Sequence, residues 1–276
     1  MVELTHALDF SPKSLAQGMN HCFEDYVIPM EISEQALAGM LRMYSVDLLN
    51  SILAIDQGEI VGVLLLGRRG DVSRVGAMAV AKAHRGQGLG HRILEKAIED
   101  SEARGESKMV LEAIEHNTRA ISFYESLGFE WVCRICGYSK VLDQTGKPNA
   151  LEQISFGDMA TILQSRGDDG LTWEMNHATV AQLALPSFAV SSNGMSAAIS
   201  PMGDDALLCR SLAITGEQDD AKLIGLLAGL ADEYPGRTLK IPVYFPEPIF
   251  GGLFNSVGFE TSSLAQVMLE RFAADH

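Results

Sequence analysis

The chain has 276 residues, of which 47% are hydrophobic and 21% charged, which is typical of one large or two ordinary globular domains. No apolar run approaches the ~18 residues of a membrane-spanning helix, and the first residues lack the basic and then apolar pattern of a secretory signal, so we expect a cytoplasmic protein. The net charge of −15 argues against a nucleic-acid partner, and it suits either a cationic acceptor or a solvated acidic surface.

The first half of the chain predicts alternating strands and helices. Residues 3–8 favour a first strand, and Ser11 followed by Pro12 is a typical helix start. A second helix should begin near Ser33. Residues 51–66 should form a hairpin of two strands around a Gln-Gly turn.

A glycine-rich turn follows residues 75–80, an apolar run that predicts a buried strand. The turn reads Arg85-Gly86-Gln87-Gly88-Leu89-Gly90, and the apolar residues after it recur at helical spacing. Uncovered N–H groups at a helix N-terminus suit a phosphate or pyrophosphate, although a tight turn that needs positive φ explains the glycines equally well. The turn matches neither the P-loop, because His91 and Arg92 follow it, nor the dinucleotide fingerprint, whose glycine spacing differs.

A second segment, residues 111–129, predicts a strand and then a helix. It reads Leu-Glu-Ala-Ile-Glu-His-Asn and continues through Tyr124 to Gly-Phe. In this order and spacing, the two segments resemble the GNAT superfamily of acetyl-CoA-dependent N-acyltransferases, whose turn has the signature Arg/Gln-x-x-Gly-x-Gly/Ala. The resemblance covers roughly residues 2–140. It implies that the turn binds the pyrophosphate of coenzyme A and that acetyl-CoA is the co-substrate, without a metal.

The resemblance also implies which residues contact the coenzyme. A backbone N–H near Val80 and Ala81, where the family's strand bulges, would hold the oxyanion of the tetrahedral intermediate. Asn117 would contact the pantetheine arm or the phosphates, unless it serves only as a helix N-cap. The predicted coenzyme-binding residues are Met78, Ala79, Val80, Arg85, Gly86, Gln87, Gly88, Leu89, Gly90, Asn117, Ala120 and Phe123.

Two residues are candidates for proton transfer. Tyr124 is the predicted donor to the leaving thiolate, since the matching tyrosine of the family faces the coenzyme sulfur; the alternative is a core aromatic residue. Glu112 interrupts an apolar strand, where a carboxylate is costly unless it is useful or paired. It is the predicted general base, and a solvent-exposed strand end, a water chain, or the neighbouring Glu115 and His116 are the alternatives.

The second half of the chain looks like a repeat of the first. Residues 253–260 share four of eight identities with residues 123–130. Upstream, a strand is predicted at residues 208–215, a helix at 220–233 and another strand at 239–245. Residues 216–222 lack the glycine ladder and carry three carboxylates, Phe254 stands in place of the tyrosine, and Pro242 stands near the counterpart of Glu112. We therefore expect a degenerate copy without the acetyl-CoA motif.

These observations predict an α/β (α+β) fold of two GNAT-like domains, each a mixed, mostly antiparallel twisted sheet flanked by helices. The predicted catalytic domain spans residues 1–142 and the degenerate domain residues 150–276, with a polar linker between them. The acceptor would lie against Phe23, Tyr26 and Met30, and no residue there selects its class.

The expected function is transfer of an acetyl group from acetyl-CoA to a small or peptide amine in a ternary complex. A non-catalytic acyl-CoA-binding sensor or scaffold is the alternative. No membrane partner is expected, and the protein would be a monomer or a homodimer. The Cys133-x-x-Cys136 pair could be half a zinc site or a redox pair, but without a second cysteine pair at matching spacing we interpret it as reduced structural cysteines.

Overall fold

Strands and helices follow the same order twice along the chain. The computed structural model describes residues 2–26, 31–143, 150–167 and 170–273. The first ten elements are β1 (Glu3–His6), α1 (Pro12–Cys22), α2 (Glu34–Met43), β2 (Ile52–Asp56), β3 (Glu59–Arg69), β4 (Val72–Val80), α3 (Leu89–Ala103), β5 (Lys108–Ile114), α4 (Thr118–Glu125) and β6 (Glu130–Val141). Two short 3-10 helices, Ala7–Asp9 and Lys82–His84, interrupt the series.

The second series repeats this order of strands and helices. Its elements are β7 (Glu152–Ile154), α5 (Phe156–Arg166), α6 (His177–Val180), β8 (Phe188–Ser192), β9 (Met195–Met202), β10 (Ala206–Ile214), α7 (Asp220–Glu233), β11 (Thr238–Pro246), α8 (Glu247–Ser256) and β12 (Glu260–Phe272). The repeated mixed arrangement confirms the predicted fold class. The predicted linker at residues 144–149 lies outside the described residues.

Local sequence signals explain where several elements begin. The Ser11 hydroxyl accepts a hydrogen bond from the Ser14 N–H at 3.1 Å, with Pro12 at the first helical position of α1. In the hairpin between β2 and β3, Gln57 and Gly58 have φ of 50° and 86°. Two consecutive left-handed residues match the right-handed twist of paired strands, which is why the chain reverses here.

The chain forms two compact units that do not coincide with a single cut in the sequence. The first comprises Met1–Glu112, Arg119–Trp131 and Leu269–His276, and the second comprises Ala113–Thr118 and Val132–Met268. The end of β12 therefore belongs to the first unit, and the end of β5 to the second. Short segments are exchanged because each strand pairs where its backbone groups find partners, irrespective of chain order.

Each unit has a mixed sheet. In the first, the strand order is β1-β2-β3-β4-β5, antiparallel except for the parallel pair of β4 and β5. In the second, the order is β12-β6-β11-β10-β9-β8-β7, and β10 and β11 are the parallel pair. Among the described residues, no helix is long and apolar enough to cross a membrane.

Candidate functional site

The glycine-rich turn links the end of β4 to the start of α3 and is exposed. Gly86 and Gly88 have φ of 76° and 77°, in the left-handed region, and Gly88 is the N-cap of α3. The N–H groups of Gly86, Gln87 and Gly88 donate to no acceptor among the described residues. Together with the first turn of a fifteen-residue helix, they form a site suited to an anion.

The side chain of Arg85 fixes this turn in place. Its Nε donates to the Val80 carbonyl at 2.7 Å and its Nη2 to the Cys22 carbonyl at 3.4 Å. Asp25 lies 4.0 Å from Nη1 and 3.0 Å from the Lys82 ammonium. The guanidinium thus ties the turn to the end of β4 and to the end of α1, which pre-organises the N–H groups.

Gly90 lies against three of the other predicted coenzyme-binding residues. A Cβ atom at Gly90 would lie 3.7 Å from the Met78 side chain and 3.8 Å from those of Val80 and Phe123. The predicted residues of β4, α3 and α4 are therefore adjacent. Leu89, in contrast, buries its side chain, so only its backbone is available to a ligand.

Strand β4 leaves its neighbour β5 halfway along its length. Parallel pairing runs from Val72 and Lys108 to Val75 and Leu111, and an extra residue in β4, Gly76, interrupts its pairing with β3. Beyond this point β4 pairs only with β3, so alternate backbone groups of residues 77–80 point to an unpaired side.

The bulge predicted near Val80 and Ala81 was wrong. Residues 77–80 pair regularly with β3, and the irregularity lies at Gly76 instead. The physical reason is that a bulge bends the strand, and the bend is needed directly after Val75, the last residue that pairs with β5.

Glu112 occupies the position just after the last β4–β5 pair, and it is paired. Its Oε2 accepts hydrogen bonds from Nε and Nη2 of Arg74 at 2.8 and 2.7 Å. The side chains of Glu112 and Arg74 are 6% and 9% exposed. The Arg74 guanidinium also lies 5.7 Å from the centre of the Tyr44 ring. A charged partner of this kind favours the ionised carboxylate.

Arg74 is the functional candidate that sequence reasoning missed. The predicted strand began at residue 75, which placed Arg74 outside it, whereas β4 begins at Val72. The local sequence Val72-Ser73-Arg74-Val75 does not alternate between apolar and polar residues, so no period of two extends the predicted strand back to residue 72.

Tyr124 lies on α4 among other aromatic rings. Its ring centre is 5.2 Å from that of Phe123 and 6.0 Å from that of Phe129. Burial raises the pKa of Tyr124, and the nearby Tyr26 hydroxyl raises it further. The phenol therefore keeps its proton at ordinary pH and is available as a proton donor rather than as a base.

The predicted acceptor residues are described only in part. Phe23 is buried and meets the partly exposed Tyr26 edge to face, with ring centres 5.3 Å apart. Burial also raises the pKa of Tyr26. Met30 lies outside the described residues. Tyr26 is thus the described acceptor candidate that is near Tyr124.

Asn117 lies in the short segment of the chain that belongs to the second unit, after β5, and its N–H donates to the Ile114 carbonyl at 2.9 Å. Glu115 of the same segment forms an ion pair with Arg134 at 2.8 Å, so the Glu115 carboxylate already has a charged partner.

Within the described ranges, no group of three or more His, Cys, Asp or Glu side chains could hold a metal ion.

The comparisons with known proteins agree with this geometry. The acetyltransferase (GNAT) family model matches residues 19–129, which contain the turn, Glu112 and Tyr124. Over residues 19–129 the chain is thus similar to the GNAT acetyltransferase family. N-alpha-acetyltransferase 30 of Schizosaccharomyces pombe is 32% identical over 84 residues, which cover 29% of this chain and 56% of that protein. The chain thus spans little more than half the length of this curated relative.

Solved structures show the GNAT fold for the whole chain. A tandem GNAT protein from the clavulanic acid biosynthesis pathway has a TM-score of 0.65 and 14% identity, and the match covers 100% of both chains. A GCN5-related N-acetyltransferase from Kribbella flavida has a TM-score of 0.67 and 17% identity over 99% of this chain and 72% of that one. The arrangement of elements is therefore that of a tandem GNAT protein.

The second unit repeats the backbone of the GNAT site with other side chains. Parallel pairing of β10 with β11 ends at Leu208 and Lys240, and a bulge follows at Arg210, as at Gly76 of β4. In the first unit Arg74 pairs with Val110, and Glu112 comes two residues later. In the second unit Leu208 pairs with Lys240, and Pro242 comes two residues later, so Pro242 stands in the position of Glu112.

The start of α7 is closed by side chains of the chain itself. The Asp219 carboxylate caps α7 by accepting from the Ala221 N–H at 2.9 Å. The Lys222 ammonium donates to the carbonyls of Thr215 and Glu217 at 2.7 and 2.8 Å. A carboxylate thus lies where the first unit leaves its N–H groups open.

Proposed function

We propose that this chain is an acetyl-CoA-dependent N-acetyltransferase that transfers the acetyl group directly to an amine in a ternary complex. The observation that supports this most is the exposed glycine turn at the start of α3, with Tyr124 on the next helix. Both lie in the segment that is similar to the GNAT family. The N–H groups of residues 86–90 would bind the pyrophosphate, and the unpaired side of residues 77–80 would bind the pantetheine arm and the developing oxyanion.

Glu112 is the proposed general base. An ammonium has no free electron pair, so the acceptor amine must lose a proton before it attacks the thioester. The Arg74 guanidinium holds the Glu112 side chain in place, from where the carboxylate would accept this proton directly or through water. Arg74 thus positions the base.

Tyr124 is the proposed proton donor. When the tetrahedral intermediate collapses, the leaving thiolate needs a proton. The raised pKa of Tyr124 keeps its phenol protonated, and Tyr26 lies close enough to contribute to that shift. After donation the phenolate is reprotonated from solvent.

We propose that catalysis takes place in residues 1–142 and that residues 150–276 form a degenerate domain. The Asp219 carboxylate caps the start of α7 and would repel a phosphate, Pro242 has no proton to transfer, and Phe254 has no hydroxyl. The protein would work in the cytoplasm, which fits four cysteines that form no disulfide within the described part of the chain.

A thiol-release assay with acetyl-CoA and a panel of amines tests the proposal. The panel should include small amines, amino acids and peptides with free N-termini, because the curated relative is an N-alpha-acetyltransferase. Mass spectrometry identifies the product. We expect coenzyme A release with at least one acceptor, and a large loss of turnover in Glu112→Gln. Tight acetyl-CoA binding without release by any amine would instead establish the sensor function.

A further inference from the structure

A cavity of about 170 Å³ lies in the second unit at the end of β10. Its floor is apolar and buried: Leu163 is 2% exposed, and Leu212 and Phe250 are each 3% exposed. Its mouth carries the exposed side chains of Arg166 and Gln218. The cavity thus combines an apolar floor with a polar rim, which is the usual form of a small-molecule site.

The position of the cavity in the fold matches that of the coenzyme site in the first unit. Residues 212–214 end β10 beyond its bulge, as residues 78–80 end β4 beyond Gly76. Phe250 lies on α8, the helix that repeats α4. The repeat has therefore kept the opening between diverging strands while it changed the residues around it.

The opening does not suit a coenzyme. The Asp219 carboxylate takes the place of an anion at the start of α7, and the Lys222 ammonium is bound to two carbonyl oxygens of the turn. A nucleotide pyrophosphate would be repelled by the Asp219 carboxylate, which already accepts from the Ala221 N–H. The ligand must be smaller and must be held by the cavity itself.

Among the described residues that line the cavity, Arg166 is the charged one. It lies in the last turn of α5 and forms no ion pair with another described residue. A guanidinium at the edge of an apolar cavity matches the planar geometry of a carboxylate, which it can bind with two parallel hydrogen bonds. The Gln218 amide at the same mouth can donate a third.

The size of the cavity limits the part of the ligand that enters it to one ring or one branched chain. An apolar cavity of ~150 Å³ holds a benzene molecule, and the volume here is about 170 Å³. A body of this size and one carboxylate at the mouth describe a small apolar carboxylic acid.

We propose that the second unit binds a small apolar carboxylic acid, with its ring or branched chain against Leu212 and Phe250 and its carboxylate on Arg166. This site has no residues for acyl transfer and is separate from the proposed acetyltransferase function. Binding is therefore measured directly and does not depend on turnover.

The test is calorimetry and methyl NMR of the full chain with phenylacetate, phenylacetamide and phenethylamine as probes. We expect phenylacetate to bind and to shift the methyl signals of Leu171, Leu212 and Ile249, all of which line the cavity. Phenylacetate should bind about 10- to 100-fold more tightly than the amide, the range that a hydrogen-bonded charge contributes.

Arg166→Gln should weaken phenylacetate binding by a similar factor. The matched control is Lys13→Gln, which removes one positive charge from the exposed surface of α1 in the first unit and should leave binding unchanged. Four results would each overturn the proposal. They are no binding of any probe at 10 mM, equal or tighter binding of the amide or the amine, phenylacetate binding that is unaffected by Arg166→Gln, and methyl shifts confined to the first unit.

Discussion

At the scale of single residues, the main electrostatic feature of the proposed site is the buried ion pair of Arg74 and Glu112. An isolated carboxylate in a buried strand would be strongly destabilised. Here two nitrogens of one guanidinium hold a single carboxylate oxygen, and both side chains are less than a tenth exposed. The pair holds the carboxylate in a place from which water is largely excluded.

Breaking this pair from one side should be costly. Arg74→Met leaves the Glu112 carboxylate buried without its cation, so the free energy of unfolding should fall by about 3–5 kcal/mol. The double variant Arg74→Met/Glu112→Leu removes the unpaired charge and should recover most of that loss. Urea denaturation followed by circular dichroism measures both. A double variant as unstable as the single variant would show that the loss comes from packing and not from the unpaired charge.

Tyr124→Phe should separate chemistry from binding. The variant keeps the ring that packs against Phe123 and Phe129 but removes the proton, so kcat should fall roughly 10- to 1000-fold while the Kd for acetyl-CoA stays the same. Steady-state kinetics and calorimetry give the two values. The matched control is Tyr234→Phe, which removes a hydroxyl in the second unit and should leave kcat unchanged. Unchanged turnover in Tyr124→Phe would remove the tyrosine from the mechanism.

At the scale of elements, the junction between β4 and α3 carries the cofactor site. The strand bends at Gly76, the turn exposes its N–H groups because Gly86 and Gly88 adopt left-handed φ, and Arg85 ties the turn down. Each part depends on backbone conformation more than on side-chain chemistry.

Gly88→Ala tests that dependence. Nothing lies within 4 Å of a Cβ at Gly88, so the substitution acts only through its φ of 77°, which disfavours alanine by about 1 kcal/mol. We expect a weaker acetyl-CoA Kd together with a small loss of stability. Gly39→Ala is the control, because this glycine lies inside α2 with open space around it and an ordinary φ. It should leave the Kd unchanged and stabilise the protein by about 0.5–1 kcal/mol.

A buried carboxylate near the end of α3 makes the first unit sensitive to acid. Burial alone would raise the pKa of Glu106, but hydrogen bonds from Arg104, Ser101 and Arg68 outweigh it and lower the pKa to about 2. Because the folded-state value lies below the unfolded value, this contribution is fully present above about pH 5. It is lost as the pH falls from there towards 2, and amounts to about 3 kcal/mol.

Denaturation curves between pH 3 and pH 7 measure this effect. The wild-type protein should lose more stability over that range than Glu106→Gln, whose side chain does not titrate. The variant should start from a lower stability at pH 7, because the arginines lose their carboxylate. Parallel pH profiles for the two proteins would show that Glu106 contributes nothing to acid sensitivity.

The sequence predicted regular elements well and irregular ones poorly. The helix predicted at residues 220–233 is α7 with the same bounds, and the strand at 239–245 lies within β11, since both follow from apolar periodicity. The position of the bulge, by contrast, depends on where β4 parts from β5, which no local pattern encodes. The pairing of Arg74 with Glu112 joins residues 38 positions apart and needs the parallel register before it can be seen.

At the scale of the whole molecule, the chain is a repeat whose halves exchange short segments. Leu269–His276 belongs to the first compact unit although it ends the chain. Within that unit, Arg271 donates to the Glu102 carboxylate at 2.7 Å and to the Leu127 carbonyl at 3.1 Å, and Lys108 pairs with Glu270 at 3.3 Å. The unit is therefore incomplete without the last residues of the second half.

A fragment that ends after Asp143 tests this dependence. The fragment keeps the glycine turn, Glu112 and Tyr124 but lacks Arg271 and the contacts that Arg271 makes. We therefore expect it to melt at a lower temperature and to be less soluble than the full chain. The fraction that stays folded should still bind acetyl-CoA. Size-exclusion chromatography, thermal unfolding and calorimetry measure the three properties.

The matched comparison is the full chain carrying Arg271→Leu, which removes the same ion pair and carbonyl contact without removing any domain. If the exchanged segment matters for stability, this variant should melt below the wild type and above the fragment. A fragment that is monomeric, as stable as the full chain and fully active would mean that the second half is dispensable to the first. The exchange of segments would then carry no energetic weight.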